Sequence, residues 1–195
     1  MKSLFFACLI AFLALLHAQG AVVTINGQSP GPTPFIGLLN LTVDDASTLA
    51  SIEFKIYPKP ASDTRPVYAR YSAAYMQTRG WLNTTTGAIS LPVFGLYADY
   101  NNRVALVSTF TNQTTQRDTV NVLTPVWNGG ANNKFKTPTV VQPRLPNANL
   151  SYDFSLLRSN ATAAPLIIDT DGEVRWIGTL GVGSNGILLD RKSVV

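Results

Sequence analysis

Apolar and polar positions alternate along much of the chain after residue 20. In Ser51–Tyr57 (SIEFKIY), Ile52, Phe54 and Ile56 fall on one face and Glu53 and Lys55 on the other. A period of two marks a half-buried antiparallel strand. The same reading gives strands over Val22–Ile25, Phe35–Val43, Ala88–Leu91, Arg103–Phe110 and Asp118–Leu123. Val67–Tyr75 (VYARYSAAY) fits a strand, and through its aromatics at 68, 71 and 75 a helical face as well. Its neighbours favour the strand. Turn signals separate these runs at Gly27–Pro34, at Pro58–Pro60, at Asn83–Gly87 after Trp81-Leu82, and at Pro92. Strands at this spacing predict an antiparallel sandwich of about seven strands over residues 21–127. No helical pattern longer than two turns interrupts it. The label immunoglobulin-like rests on strand number and size, because that fold's cysteine pair and tryptophan are absent as a set.

Beyond this region the pattern changes. Residues 128–151 hold Gly129-Gly130, Pro138, Pro143, Pro146 and several asparagines, the composition of a linker or extended strap. Tyr152–Leu157 resumes the alternation. In Ala164–Gly178 (APLIIDTDGEVRWIG) two β-prone runs, Leu166–Ile168 and Val174–Ile177, meet at Asp171-Gly172. That arrangement is a strong hairpin signal, because the turn needs positive φ and Asp-Gly supplies it cheaply. A lone hairpin is marginal in water, so further strands are expected. Gly181–Gly186 and Ile187–Leu189 continue the series, and 152–195 reads as one β-propeller blade. The blade is incomplete, since only 17 residues follow Gly178. A single blade leaves open flanks, so the sequence is expected to be the front of a longer protein. The expected fold class is all-β: an immunoglobulin-like antiparallel sandwich followed by an incomplete first propeller blade.

The amino terminus stands outside this scheme. Lys2, the apolar run Leu4–Leu16 and the small-x-small Ala18-Gln19-Gly20 form a signal peptide over 1–20, cut after Gly20 or Ala18. The run is too short for a comfortable membrane span, and no later segment is long or apolar enough for one. The expected destination is the periplasm or the exterior. Cys8, inside the apolar run, is not placed as a lipid-attachment cysteine. Cys8 and His17 are the chain's one cysteine and one histidine, and both leave with the leader. The mature chain then folds by burial without a disulfide. A Cys/His zinc site and a Ser-His-Asp or Cys-His nucleophile are excluded within it. Net charge falls from +4 to +3 on loss of Lys2. The basic residues Arg65, Arg70, Arg79, Arg103, Arg117, Lys134, Lys136 and Arg144 are scattered along the chain. This reads as a mildly basic solvated surface, and nucleic acid is not expected as a partner.

Candidate chemistry is sparse. Gly181-Val-Gly-Ser-Asn-Gly186 matches G-x-G-x-x-G, but a β-like run, Ile187–Asp190, follows where a phosphate-binding helix is required. An inter-strand loop is the better reading. Asp169-Thr-Asp-Gly-Glu173 lacks the third oxygen ligand before its glycine, and position twelve of a calcium loop would be Leu180, so it reads as a hairpin turn. Asp44-Asp45 are adjacent, which puts them on opposite faces of a strand or in an ordinary turn. Five N-x-[ST] triplets begin at Asn40, Asn83, Asn112, Asn149 and Asn160. They are glycan acceptors in a eukaryotic secretory pathway and chance triplets in a bacterium. Tyr68, Tyr71, Tyr75, Trp81, Tyr97 and Tyr100 suit either a sugar- or aryl-binding face or the core and corners of the sandwich, with the core favoured. No catalytic, cofactor-binding or metal-binding residue is assigned.

Two segments carry a family resemblance. Ile89–Val104 (ISLPVFGLYADYNNRV) resembles the Leu-Pro-x-x-Gly-Leu-Tyr-x-x-Tyr-x-Asn-x-Val signature of the amino-terminal domain of bacterial arylsulfate sulfotransferases. Ile168–Trp176 (IDTDGEVRW) resembles the Asp-x-x-Gly-x-x-Arg-Trp hairpin that begins that family's propeller. The resemblance implies a sandwich followed by a six-bladed propeller in an exported enzyme. That enzyme moves a sulfuryl group from a phenolic sulfate ester donor to a phenol acceptor. It works through a sulfo-histidine, without phosphoadenosyl phosphosulfate or another cofactor. The family's catalytic histidines and arginine lie on later blades, and no arginine of this sequence matches one. The sandwich would be a scaffold beside the propeller or against a second subunit in a homodimer, and residues 21–195 alone would not catalyse transfer. The alternative is a secreted sandwich module that binds a carbohydrate, an aryl ligand or a protein through its aromatics, a reading that loss of binding on Tyr97→Ala or Tyr100→Ala would favour.

Overall fold

The computed structural model describes residues 21–129, 138–145, 150–158 and 165–178. The alternating segments become seven strands: β1 (Val23–Pro30), β2 (Ile36–Val43), β3 (Leu49–Ile56), β4 (Val67–Ser72), β5 (Ala88–Phe94), β6 (Asn101–Phe110) and β7 (Thr115–Leu123). They pair antiparallel into a three-stranded sheet, β1-β2-β5, and a four-stranded sheet, β4-β3-β6-β7. Leu39, Leu41, Leu91 and Val93 from the first sheet meet Ile52, Phe54, Ile56, Val104 and Leu106 from the second in one buried cluster. These residues share faces because every second side chain points the same way. The result is an immunoglobulin-like sandwich, the expected architecture.

The boundaries differ from expectation where local chemistry overrides pattern. The first strand runs on to Pro30, through Gly27 and past a bulge between Ile25 and Gly27. β5 continues through Pro92 to Phe94, because β5 is an edge strand and proline's missing N–H is tolerated there. The strand expected over Val67–Tyr75 stops at Ser72 and is corrected to a strand and a helix, α1 (Ala73–Thr78). The Ser72 hydroxyl accepts the Tyr75 N–H, capping α1, and Met76 is buried beneath. Tyr71 and Tyr75 then stack at 6.0 Å, with Trp81 edge-on to both. β7 begins at Thr115, three residues earlier than read, because it zips with β6 from the turn outward.

Three further strands, β8 (Phe154–Arg158), β9 (Pro165–Asp169) and β10 (Val174–Ile177), form a separate antiparallel meander in the order β8-β9-β10. The leader at 1–20, the G-x-G-x-x-G run at Gly181–Gly186, the strand read at Ile187–Leu189, and Asn149 and Asn160 lie outside the described residues. Among the described residues no helix is long and apolar enough to cross a membrane.

Candidate functional site: the seam between sandwich and meander

The two sequence segments singled out above meet each other in space. The first supplies the loop between β5 and β6, from Gly95 to Tyr100. Asn102, fully buried, holds that loop from within. Its Oδ1 accepts the Tyr97 N–H at 2.8 Å, and its Nδ2 donates to the carbonyls of Tyr97 at 2.9 Å and Tyr100 at 3.1 Å. Thr124 Oγ1 donates to the Tyr97 carbonyl as well. Gly95 turns the chain at φ +84°, a conformation that favours glycine, and a Cβ there would meet Val67 Cγ1 at 3.1 Å. Leu96 anchors the loop in the core. Tyr97 lies flat behind it, 1% exposed, its hydroxyl buried beside Ser62 and the Lys59 backbone.

The second segment supplies the β9–β10 hairpin. The Gly172 N–H donates to the Asp169 carbonyl at 3.1 Å, and the Asp169 N–H donates to the Glu173 carbonyl at 2.9 Å. Gly172 has φ +84° while Asp171 does not adopt positive φ, so this is a three-residue loop rather than the two-residue turn that Asp-Gly often makes. Asp169 stabilises it from inside: Oδ1 accepts the N–H groups of Asp171 at 3.1 Å and Glu173 at 2.9 Å. A bulge between Val174 and Trp176 follows, so that adjacent Val174 and Arg175 are both buried.

Arg175 joins the halves. Its Nη1 donates to Asp169 Oδ2 at 2.9 Å, and its Nε and Nη2 donate to the Gly95 carbonyl at 3.0 and 2.6 Å. Its Cζ sits 3.6 Å from the centre of the Tyr97 ring. Arg175 and Asp169 are each 2% exposed. A buried guanidinium is tolerated only with a counter-charge and satisfied donors, and both are present. Burial pushes the Asp169 carboxyl above its ordinary value of 3.8, outweighing the lowering by Arg175 and the Glu173 N–H. Burial likewise raises the Tyr97 phenol, against the opposing pull of Arg175.

The β3–β4 loop closes around the hairpin. Lys59 pairs with Glu173, with its Nζ 4.9 Å from the Tyr97 ring and 5.2 Å from Tyr100. Ser62 and Thr64 both donate to Asp171 Oδ2, and Arg65 pairs with Asp153. Arg144, from the strap, donates to Thr170 Oγ1 at 2.9 Å, and Val140 lies where a Cβ on Gly172 would sit. An apolar cluster completes the seam: Phe35 from the sandwich against Leu166, Val174 and Ile177, with Trp127 edge-on to Phe35 at 5.3 Å.

This arrangement is built to hold two sheets together. The carboxylates of Asp153, Asp169, Asp171 and Glu173 each have a protein partner. Among the described residues no group of three or more His, Cys, Asp and Glu could hold a metal. The Asp44-Asp45 pair does ordinary turn work: Asp44 accepts the Val22 N–H, and Asp45 caps a 3-10 turn at Ala46–Thr48. The six aromatics do not share a face. Tyr97 and Tyr100 lie in the seam, Tyr71, Tyr75 and Trp81 form a corner beside α1, and Tyr68 stands alone, 72% exposed. Asn40, Asn83 and Asn112 are all exposed. Lys59, Ser62 and Thr64 were not singled out in the sequence, and Arg65 was read there only as one of the scattered surface cations. The signal that could have found them is the contrast between a loop with two cations and a downstream hairpin with three carboxylates.

The family model described as "Arylsulfotransferase Ig-like domain" matches residues 32–125. Among solved structures, wild-type OgpA from Akkermansia muciniphila is similar with a TM-score of 0.37 and 15% identity, over 53% of this chain and 27% of that one. Catalytically inactive OgpA in complex with an O-glycopeptide (glycodrosocin) substrate gives 0.34 and 13%, over 53% and 28%. The chain thus spans little more than a quarter of those proteins. No curated protein matches the chain in sequence.

Proposed function

Residues 32–125 belong to the arylsulfotransferase Ig-like domain family, and on that premise we propose that this chain is the scaffold end of an exported arylsulfate sulfotransferase. In this reading β8, β9 and β10 are the opening strands of a β-propeller, and the sandwich is the platform on which that propeller is seated. The observation that carries the reading is the Arg175 side chain. It belongs to the segment resembling a propeller's first hairpin, and it donates twice to Gly95, inside the segment resembling the family's sandwich signature. A seam with buried charge and matched polar partners defines one relative position of two sheets better than apolar contact alone.

The chemistry that goes with this reading is sulfuryl transfer between phenols. A histidine nitrogen attacks the sulfur of an aryl sulfate, the S–O bond to the aryl oxygen breaks, and the phenolate leaves. An acceptor phenol then gives up its proton to the released phenolate or to water, its oxygen attacks the sulfo-histidine, and the N–S bond breaks with its electron pair returning to the histidine nitrogen. The one histidine of this sequence is His17, in the leader. The nucleophile is therefore supplied by residues outside 21–195, and the part played by 21–195 is positional. Tyr97 and Tyr100 serve the seam in this account, since Lys59 covers both rings.

The test is transfer of sulfate from a fluorogenic aryl sulfate to a phenol, run on the product of the complete reading frame and on residues 21–195. The expected outcome is turnover by the former and none above the reagent blank by the latter. Turnover by residues 21–195 alone, or a complete product inert with every phenolic pair tried, would overturn the proposal.

A further inference from the structure

Four cations that lie far apart in sequence, Lys55, Arg70, Arg103 and Arg117, converge on one face. In the four-stranded sheet, antiparallel register sets Arg70 opposite Glu53, Glu53 opposite Val107, and Val107 opposite Arg117. One row along, Tyr68 faces Lys55, and Lys55 faces Ala105, two residues from Arg103. These positions alternate with the buried Phe54, Ile56, Val104 and Leu106, so all project from the outer face. Lys55, Arg70, Arg103 and Arg117 are exposed, and none of them is in a salt bridge among the described residues. Glu53 is the single carboxylate in these rows, because Asp118 alternates onto the other side, where Gln116 holds it. The strands β1, β2 and β5 of the other sheet carry no charged residue. The sandwich is polarised, with one neutral sheet and one cationic sheet.

Two tyrosines lie among these cations. The Tyr57 ring has Lys55 Nζ at 5.4 Å and Arg103 Cζ at 4.8 Å. Tyr68 is largely in solvent. The face spans four strands, roughly 14 Å at the usual spacing. Its aliphatic members are Ala105 and Val107, both half-buried, and Leu123, which is 70% exposed at one corner opposite Asn101; one exposed leucine is too little apolar surface to enter a membrane. We infer that the outer face of β4-β3-β6-β7 binds an acidic polysaccharide, whose anionic groups meet Lys55, Arg70, Arg103 and Arg117 and whose sugar faces lie on Tyr57 and Tyr68. Charge complementarity selects a polyanion. The export reading, on which this inference rests, selects a polysaccharide over a nucleic acid. The seam with the meander lies at the ends of the strands, and the face can be occupied while the seam stays intact.

The experiment is titration of the full mature chain with a heparin oligosaccharide at 50 and 200 mM salt, with dextran as the uncharged polymer. Four charge contacts predict a log–log salt slope near −3, about a fiftyfold loss of affinity across that interval. The Lys55→Gln, Arg70→Gln, Arg103→Gln variant is expected to bind on the order of a hundredfold more weakly. A charge-matched control, Thr24→Glu, Asn40→Glu, Ala88→Glu, lowers net charge equally on the opposite sheet and is expected to retain most of the affinity. Should the triple variant fold poorly, Arg103→Gln alone is expected to give about a third of the logarithmic loss. Equal weakening in both triple variants would reduce the effect to bulk charge and overturn the assignment. Binding to dextran, absence of heparin binding at 50 mM salt, or equal affinity for single-stranded DNA of matched charge would overturn it as well.

Discussion

Replacing Arg175 by methionine keeps an unbranched apolar stem and removes the guanidinium with its charge. In the native seam the guanidinium makes one ion pair with Asp169 and two donations to the Gly95 carbonyl, all out of solvent. Removing one partner of a buried pair costs about 3–5 kcal/mol, because the other charge stays behind. Asp169 keeps its two backbone N–H donors, which pulls the value down. The Gly95 carbonyl loses both donations from Arg175, which pulls it up. About 4 kcal/mol is the expected net loss, and it falls on the seam rather than on the sandwich core. A loss of this size amounts to roughly a thousandfold shift in the open population of the meander. Hydrogen exchange reads it directly. Amides of β9 and β10 are expected to exchange far faster in the variant, while those of β2, β3 and β6 keep their native protection. The deficit also depends on pH in a defined direction. Asp169 already has a raised folded-state pKa, and loss of Arg175 raises it further. An acid with a raised folded pKa contributes stability below its unfolded value of 3.8, and that stability is lost as pH rises through the folded value. The Arg175→Met deficit is therefore expected to shrink on acidification toward that value, and Asp169→Asn in the same background is expected to abolish the pH dependence. Exchange in residues 165–178 that changes less than about fivefold, or a deficit independent of pH, would refute this reasoning.

Gly172→Ala is expected to cost about 1–3 kcal/mol, from φ +84° and from a Cβ placed 2.5 Å from Val140 Cγ2; thermal denaturation checks it, and adding Val140→Ala should restore only the steric part. Asn102→Asp keeps the shape but removes the amide that donates to the Tyr97 and Tyr100 carbonyls, and a loss of about 3 kcal/mol or more is expected in chemical denaturation. The Tyr71 phenol is held up to about 12, by burial first and by Tyr75 second. Ultraviolet titration should show a late component that Tyr71→Phe removes, with native stability falling as pH rises from 10 toward 12.

Ser51–Tyr57 was legible because its inner face is aliphatic and aromatic and its outer face is charged, which leaves one choice of side. Val67–Tyr75 was not, because its aromatics satisfy periods of two and of 3.6 at once. The deciding group, the Ser72 hydroxyl as a cap, acts over three residues and leaves no periodic trace. Asp171-Gly172 announced a hairpin, yet the loop length was set by Asp169, whose carboxylate gathers two N–H groups. The seam was invisible as a site because its halves are 80 residues apart at Gly95 and Arg175, and neither half has unusual composition. The two segments that carried the family resemblance proved to be the two sides of that seam. The cationic face was hidden for a related reason. Positions 55, 70, 103 and 117 are far apart along the chain, and only strand register brings them together.

The central claim is that Arg175 is the bolt between the two sheets, and nuclear Overhauser contacts test it most directly. With the guanidinium carbon 3.6 Å from the Tyr97 ring centre, the Arg175 side-chain protons should be shifted upfield by the ring and show contacts to the Tyr97 ring protons. The Arg175 Nε–H should also be protected from exchange by its bond to the Gly95 carbonyl. A freely exchanging Arg175 Nε–H at an ordinary chemical shift, with no contact to Tyr97, would contradict the account.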